Sequence, residues 1–176
     1  MKRVVVLLFV VLVACSNAKD DDTPSIAKVP SFTLTSADVK DGQPLPAAQL
    51  AASGNAVPPQ LRWYGFAPAT QSFAITVYDR DANFWHWALI NIPNTTSGIE
   101  HGMPFLPPGA VELKNSTGRL GFAGAAPPKG SGVHHYEITV YALDVKTLDA
   151  TSASGVPKAM AGHILGKAVI VPTAES

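Results

Sequence analysis

The sequence predicts a β-rich domain of α+β class, and three observations carry that expectation. The 176 residues include 15 prolines and 14 glycines, a density that interrupts helices and suits short strands joined by turns. Three segments alternate apolar and polar residues with the period of two of half-buried strands. A single late run carries helix-start chemistry. The length suits one domain and is short for two, and 47% hydrophobic residues suffice to fill its core.

Residues 1–14 read as an export signal. Lys2 and Arg3 give a charged start, and Val4 to Val13 form an apolar run too short to span a membrane comfortably. Leu12-Val13-Ala14-Cys15 closes the run and resembles the lipobox of bacterial lipoproteins, whose cysteine is acylated and becomes residue one. Cys15 is the one cysteine of the chain, so no intrachain disulfide forms. Acyl chains on Cys15 would hold the protein to a membrane by burying methylene groups. Ser16 follows, and by resemblance to Gram-negative lipoproteins this favours the outer membrane. Residues 15–30, polar and containing Asp20-Asp21-Asp22, read as a lipidated tether, and residues 31–176 as the domain.

The domain opens with the alternating Phe32-Thr33-Leu34, and Asp41-Gly42 marks a turn. Residues 47–59 read as loop, and Leu61-Arg62-Trp63 as a short strand. From Ser72 to Asp79, residues Phe73, Ile75, Val77 and Asp79 share one face. A second strong strand runs from Trp85 to Ile92 and is expected to stop at Pro93. Residues 107–128, dense in glycine and proline, read as a long surface loop of the kind that is functional or disordered. Tyr136 to Leu143 is the third strong strand. Pro157 suits a first helical residue, and the helix is expected to continue through Leu165. Gly162 and Gly166 would let it approach a sheet, and Val169-Ile170-Val171 reads as a final strand.

Lys+Arg and Asp+Glu number 13 each, so the chain has no basic footprint for nucleic acid. Without Lys2 and Arg3 the mature balance is 11 positive against 13 negative, and charge alone would not hold the domain to anionic lipid.

Of five histidines, three lie in two segments about fifty residues apart, Asp79 to Trp87 and Gly130 to Tyr136. On strand parity His86 faces opposite to Trp85 and Trp87, while His134 and Tyr136 share a face that His135 leaves. Asp79, His86, His134 and Tyr136 are therefore expected to converge. Two imidazoles and a phenol offer hydrogen bonds to an anionic oxygen. Asp79 could accept from one imidazole nitrogen and fix its tautomer. Gly130 and Gly132 allow close backbone approach. His101 has no evident partner, and His163 reads as a capping or packing residue.

These segments resemble the phosphatidylethanolamine-binding protein family, in its bacterial Raf-kinase-inhibitor-like branch. The resemblance rests on Asp79-Arg80-Asp81, Trp85-His86-Trp87, Asn91-Ile92-Pro93 and Gly132-Val133-His134-His135-Tyr136. Further matches are Pro59-Gln60-Leu61-Arg62-Trp63, Leu106-Pro107-Pro108-Gly109-Ala110, Pro127-Pro128 and Met160-Ala161-Gly162-His163-Ile164-Leu165. It covers roughly residues 31–171. It implies two antiparallel sheets with a few peripheral helices, one near the C-terminus. It also implies a small pocket for phosphate-like groups at Asp79, Asp81, His86, His134 and Tyr136, with Pro127 and Pro128 at the rim. Three positions depart from the family pattern: Arg80 and Asn83 stand for prolines, and His135 for an arginine.

The expected function is a lipid-anchored, non-catalytic envelope protein that binds a small anionic ligand, without cofactor or metal. A metal-dependent hydrolase using Asp79, Asp81, His86 and His134 is the alternative. A protease- or kinase-inhibitor role would follow from family analogy alone. The sequence has no Gly-x-Ser-x-Gly elbow, His-Glu-x-x-His or phosphate loop.

Overall fold

The computed structural model describes residues 29–176. The expected signal peptide, Cys15 and the expected tether up to residue 28 lie outside the described residues. The strands are β1 (Thr33–Thr35), β2 (Leu61–Tyr64), β3 (Ser72–Asp79), β4 (Phe84–Pro93), β5 (Gly98–Ile99), β6 (Val111–Glu112), β7 (His134–Leu143), β8 (Ile164–Ile170) and β9 (Thr173–Ala174). They form a small sheet in the order β1-β2-β5 and a large one in the order β6-β4-β3-β7-β8, with β9 paired to the start of β7. Every strand pair is antiparallel. This is the β-rich, two-sheet class expected from the sequence.

Strands β3 and β7 sit at the centre of the large sheet and are almost wholly buried. Their alternate residues feed two apolar clusters. Phe73, Ile75, Val77, Ile138 and Val140 pack with Leu61 and Trp63 of the small sheet, while Ala74, Leu143, Val156 and Met160 line the other side. Burying side chains of this size contributes roughly 1.5–3 kcal/mol each.

Strand β4 departs from simple alternation. Val77 pairs with Trp87 but Tyr78 pairs with Trp85, so His86 is an extra residue in the ladder, a β-bulge. Trp85 packs with the Ala74 cluster, stacking on Tyr78 at 4.5 Å, whereas Trp87 joins the Val77 cluster. The expectation that His86 faces away from both tryptophans fails at Trp87, because a bulge resets parity. A second irregularity follows near Asn91, whose φ of 59° is left-handed and whose Oδ1 accepts from the Leu148 amide. Pro93 ends the strand from within it.

The helix expected from Pro157 to Leu165 is one turn, α1 (Val156–Ala159). Gly162, at φ 83°, breaks it. Ile164 already starts β8, so the apolar run of residues 164–170 belongs to an edge strand. Gly166 lies in that strand rather than on a helix, where a Cβ would sit 2.9 Å from the Pro30 carbonyl. The loop of residues 47–59 contains two 3-10 turns, and the long loop contributes β6. His101 does have a partner, with Nδ1 2.8 Å from Asp38 Oδ2. His163 Nδ1 lies 2.9 Å from Asp144 Oδ1.

Candidate functional site

The β3–β7 ladder sets Asp79 opposite Tyr136, at the end of the sheet where β4 begins. Asp79 closes β3, and the chain turns at once. Asp79 Oδ1 accepts from the amides of Asp81 (2.9 Å) and Ala82 (3.1 Å), which caps the turn. The other oxygen, Oδ2, accepts from His134 Nδ1 at 2.7 Å. Both side chains are buried. Nδ1 therefore carries the proton, and Nε2 points outward. Ser131 Oγ lies 2.9 Å from that Nε2.

His86 approaches from the bulge. Its Nδ1–H donates to the Ala123 carbonyl at 2.7 Å, and its ring meets Tyr136 at 5.2 Å and Phe84 at 4.7 Å. Burial pushes its pKa below the ordinary histidine value, and nearby His134 adds to this, against the opposing effects of Ala123 and Asp79. Tyr136 is buried, and its hydroxyl makes no well-formed hydrogen bond, although the Asp79 carboxylate lies close enough for a weak one. Burial first, and then the Asp79 carboxylate, push the phenol far above its ordinary pKa. It remains a neutral donor.

Asp79, His86, His134 and Tyr136 thus form one cluster, as the sequence expects. Pro128 touches the cluster only by way of Ser131: its carbonyl accepts from the Ser131 amide (3.0 Å) and hydroxyl (2.7 Å) and from Ser176 Oγ (2.9 Å). Pro127, one residue earlier, makes no hydrogen bond to the cluster's side chains. Asp81 turns outward. Its Oδ2 accepts from the His135 amide at 2.7 Å and lies 2.9 Å from His135 Nδ1, and the imidazole contact holds its carboxyl below the usual range. Consequently Asp79, Asp81, His86 and His134 do not form a metal-holding group, and none occurs among the described residues.

The departures at the first motif have local reasons. The Arg80 amide donates to the His135 carbonyl at 3.3 Å, a bond proline cannot make, and Asn83 takes φ 50°, which a proline ring forbids. The Arg80 side chain faces Glu137, 3.6 Å away, and is no cation for the cluster. Ser131 was not singled out from sequence. Its signal was its place between two glycines, three residues before His134. Two clefts, of ≈ 280 and ≈ 320 Å³, lie among other loops, around Phe105 and around Asn94, and touch none of this cluster.

Residues 35–175 match the model of a family described as Phosphatidylethanolamine-binding protein. The chain is 37% identical over 153 residues to the UPF0098 protein YbcL of Escherichia coli (strain K12), covering 79% of this chain and 82% of that protein. It is 35% identical over 161 residues to a Mycobacterium tuberculosis (strain H37Rv) protein named "Putative lipoprotein LppC", covering 89% and 78%. The crystal structure of E. coli YbcL, titled a new member of the mammalian PEBP family, superposes with a TM-score of 0.77. It is 33% identical and covers 83% of this chain and 99% of that one.

Proposed function

Since this chain belongs to the phosphatidylethanolamine-binding protein family, we propose that it binds a small ligand through a phosphate-like group held at Asp79, His86, His134 and Tyr136. The observation that carries this reading is the Tyr136 hydroxyl. It is a buried donor with no well-formed partner, only the nearby Asp79 carboxylate, and leaving such a group unpaired costs up to roughly 1–3 kcal/mol. A ligand oxygen would remove that cost. Asp79 does not compete for the ligand's donors, because three donors already occupy its oxygens. Its work is to hold the His134 ring. Pro127 and Pro128 border the opening, and Asp81 acts through the loop it ties to His135.

We further propose that Cys15 is acylated and tethers the domain to the cell envelope, at the outer membrane. A relative carrying a lipoprotein name supports the acyl anchor, and Ser16 after the cysteine is the ground for the outer membrane. The binding reading is tested by calorimetric titration of the wild-type chain and of His86→Ala and His134→Ala with inorganic phosphate. Both variants should bind at least about tenfold more weakly, a change of about 1.4 kcal/mol. Equal affinity in all three would sink the proposal.

A further inference from the structure

The geometry points to a second capacity in the same cluster: Ser131, His134 and Asp79 form a nucleophile, base and positioning carboxylate able to hydrolyse small acyl esters. Ser131 Oγ lies 2.9 Å from His134 Nε2, and His134 Nδ1 lies 2.7 Å from Asp79 Oδ2. Each atom is the one that base-assisted attack by a serine requires. The carboxylate and imidazole are buried, whereas Ser131 is exposed, so a substrate can reach the hydroxyl.

The Ser131 proton has two acceptors within reach, His134 Nε2 and the Pro128 carbonyl at 2.7 Å. That carbonyl already receives the Ser131 amide and the Ser176 hydroxyl. Three donors thus compete for its two lone pairs, so the hydroxyl can turn its proton to His134 Nε2. Gly130 and Gly132, at φ 79° and 83°, flank the serine, and nothing lies within 4 Å of a Cβ placed on either. An acyl group has open space on both sides. Among the described residues the amides of these two glycines donate to no backbone acceptor. Flanking the serine, they are uncommitted donors available to an oxyanion. Neither the ≈ 280 nor the ≈ 320 Å³ cleft borders Ser131, so neither offers it a channel for a long acyl chain.

Ser131 Oγ bonds to the ester carbonyl carbon and its proton passes to His134 Nε2. The carbon–alkoxide bond then breaks, and the alcohol leaves with that proton. Water adds to the acyl carbon while giving a proton to His134. The carbon–Oγ bond breaks, the acid departs, and His134 returns the proton to Ser131. Ester and water become acid and alcohol, with no other reactant.

The inference shares the cluster with the anion-binding reading but does not depend on it. The test treats purified full-length chain, in detergent, with a fluorophosphonate probe and with p-nitrophenyl acetate. Intact-mass and peptide analysis should find the probe on Ser131, and Ser131→Ala should abolish labelling and lower ester turnover at least about tenfold. Asp79→Asn should displace the pH–rate profile, because an amide no longer fixes the Nδ1–H tautomer. Phosphate titration of the same samples separates the two readings. An unlabelled Ser131, with Ser131→Ala hydrolysing ester as fast as wild type, overturns the inference whether or not phosphate binds. Labelled Ser131 without phosphate affinity supports it and removes the other.

Discussion

Asp79 Oδ2 and His134 Nδ1 meet at 2.7 Å across 55 residues of sequence, and both side chains are buried. The contact joins the end of β3 to the start of β7 and fixes which imidazole nitrogen faces outward. Asp79→Ala would strand the His134 ring and the Asp81 and Ala82 amides together. Breaking such a buried pair costs roughly 3–5 kcal/mol. Urea denaturation should show that loss, and a midpoint within error of wild type would show that the pair carries no stability.

Tyr136→Phe separates stability from binding. It deletes a buried hydroxyl that has no well-formed hydrogen bond, so the free protein should gain stability, by up to about 1–3 kcal/mol. Phosphate affinity should fall about tenfold in the same variant. A variant that loses stability would mean that the hydroxyl is already satisfied in the unliganded protein.

His86 predicts an acid dependence. Its folded pKa lies below the ordinary 6.5, so the unfolded chain takes up its proton first as pH falls. Stability from this residue is intact above 6.5 and declines below it until the folded pKa is reached, by at most about 1.4 kcal/mol per pH unit. His86→Gln should flatten that slope in melting curves. Sulfate, whose charge is constant over this range, should bind more tightly as His86 is protonated. Affinity that weakens on acidification would place His86 outside the site.

Gly124→Ala should damage fold and site together. A Cβ there would lie 2.5 Å from the Ala56 Cβ and 2.6 Å from the Ala51 backbone nitrogen, with no flexible side chain to yield. Overpacking of this kind costs typically about 1–3 kcal/mol. Because the adjacent Ala123 carbonyl holds His86, phosphate affinity should fall with stability. Unchanged affinity in the folded variant would show that Ala123 tolerates the shift.

Cys15→Ser should move the protein from the membrane fraction of cells to the soluble fraction, since acyl chains are the proposed anchor. Immunoblots of the two fractions decide this, and a variant that stays with the membrane would exclude Cys15 as the attachment point.

Periodicity made β3 and β7 readable because both are central and continuous, and the clustering of Asp79, His134 and Tyr136 followed from their parity. Where the ladder is interrupted, periodicity has nothing to say. The His86 bulge moved Trp87 to the other face from Trp85, and no propensity marks a bulge at a histidine. Met160 to Leu165 suits a helix in composition, yet Gly162 takes a left-handed φ and the edge of β7 captures Ile164 onward. Two-residue strands such as β5 and β6 are defined by their partners rather than by their own residues. Ser131 was invisible because a serine between glycines resembles any turn until His134 is seen beside it.

The bulge at His86 also partitions one strand into two independently editable stretches. Residues beyond it, from Trp87 to Ile90, are committed in strict alternation to the two clusters. Phe84 and His86, before the reset, owe their orientation to ring contacts with each other and Tyr136 and to the Ala123 carbonyl. Substitutions in that short stretch would therefore change the surroundings of Tyr136 and His134 while the alternation from Trp87 to Ile90 stays in place, so the cluster can vary without the core being repatterned.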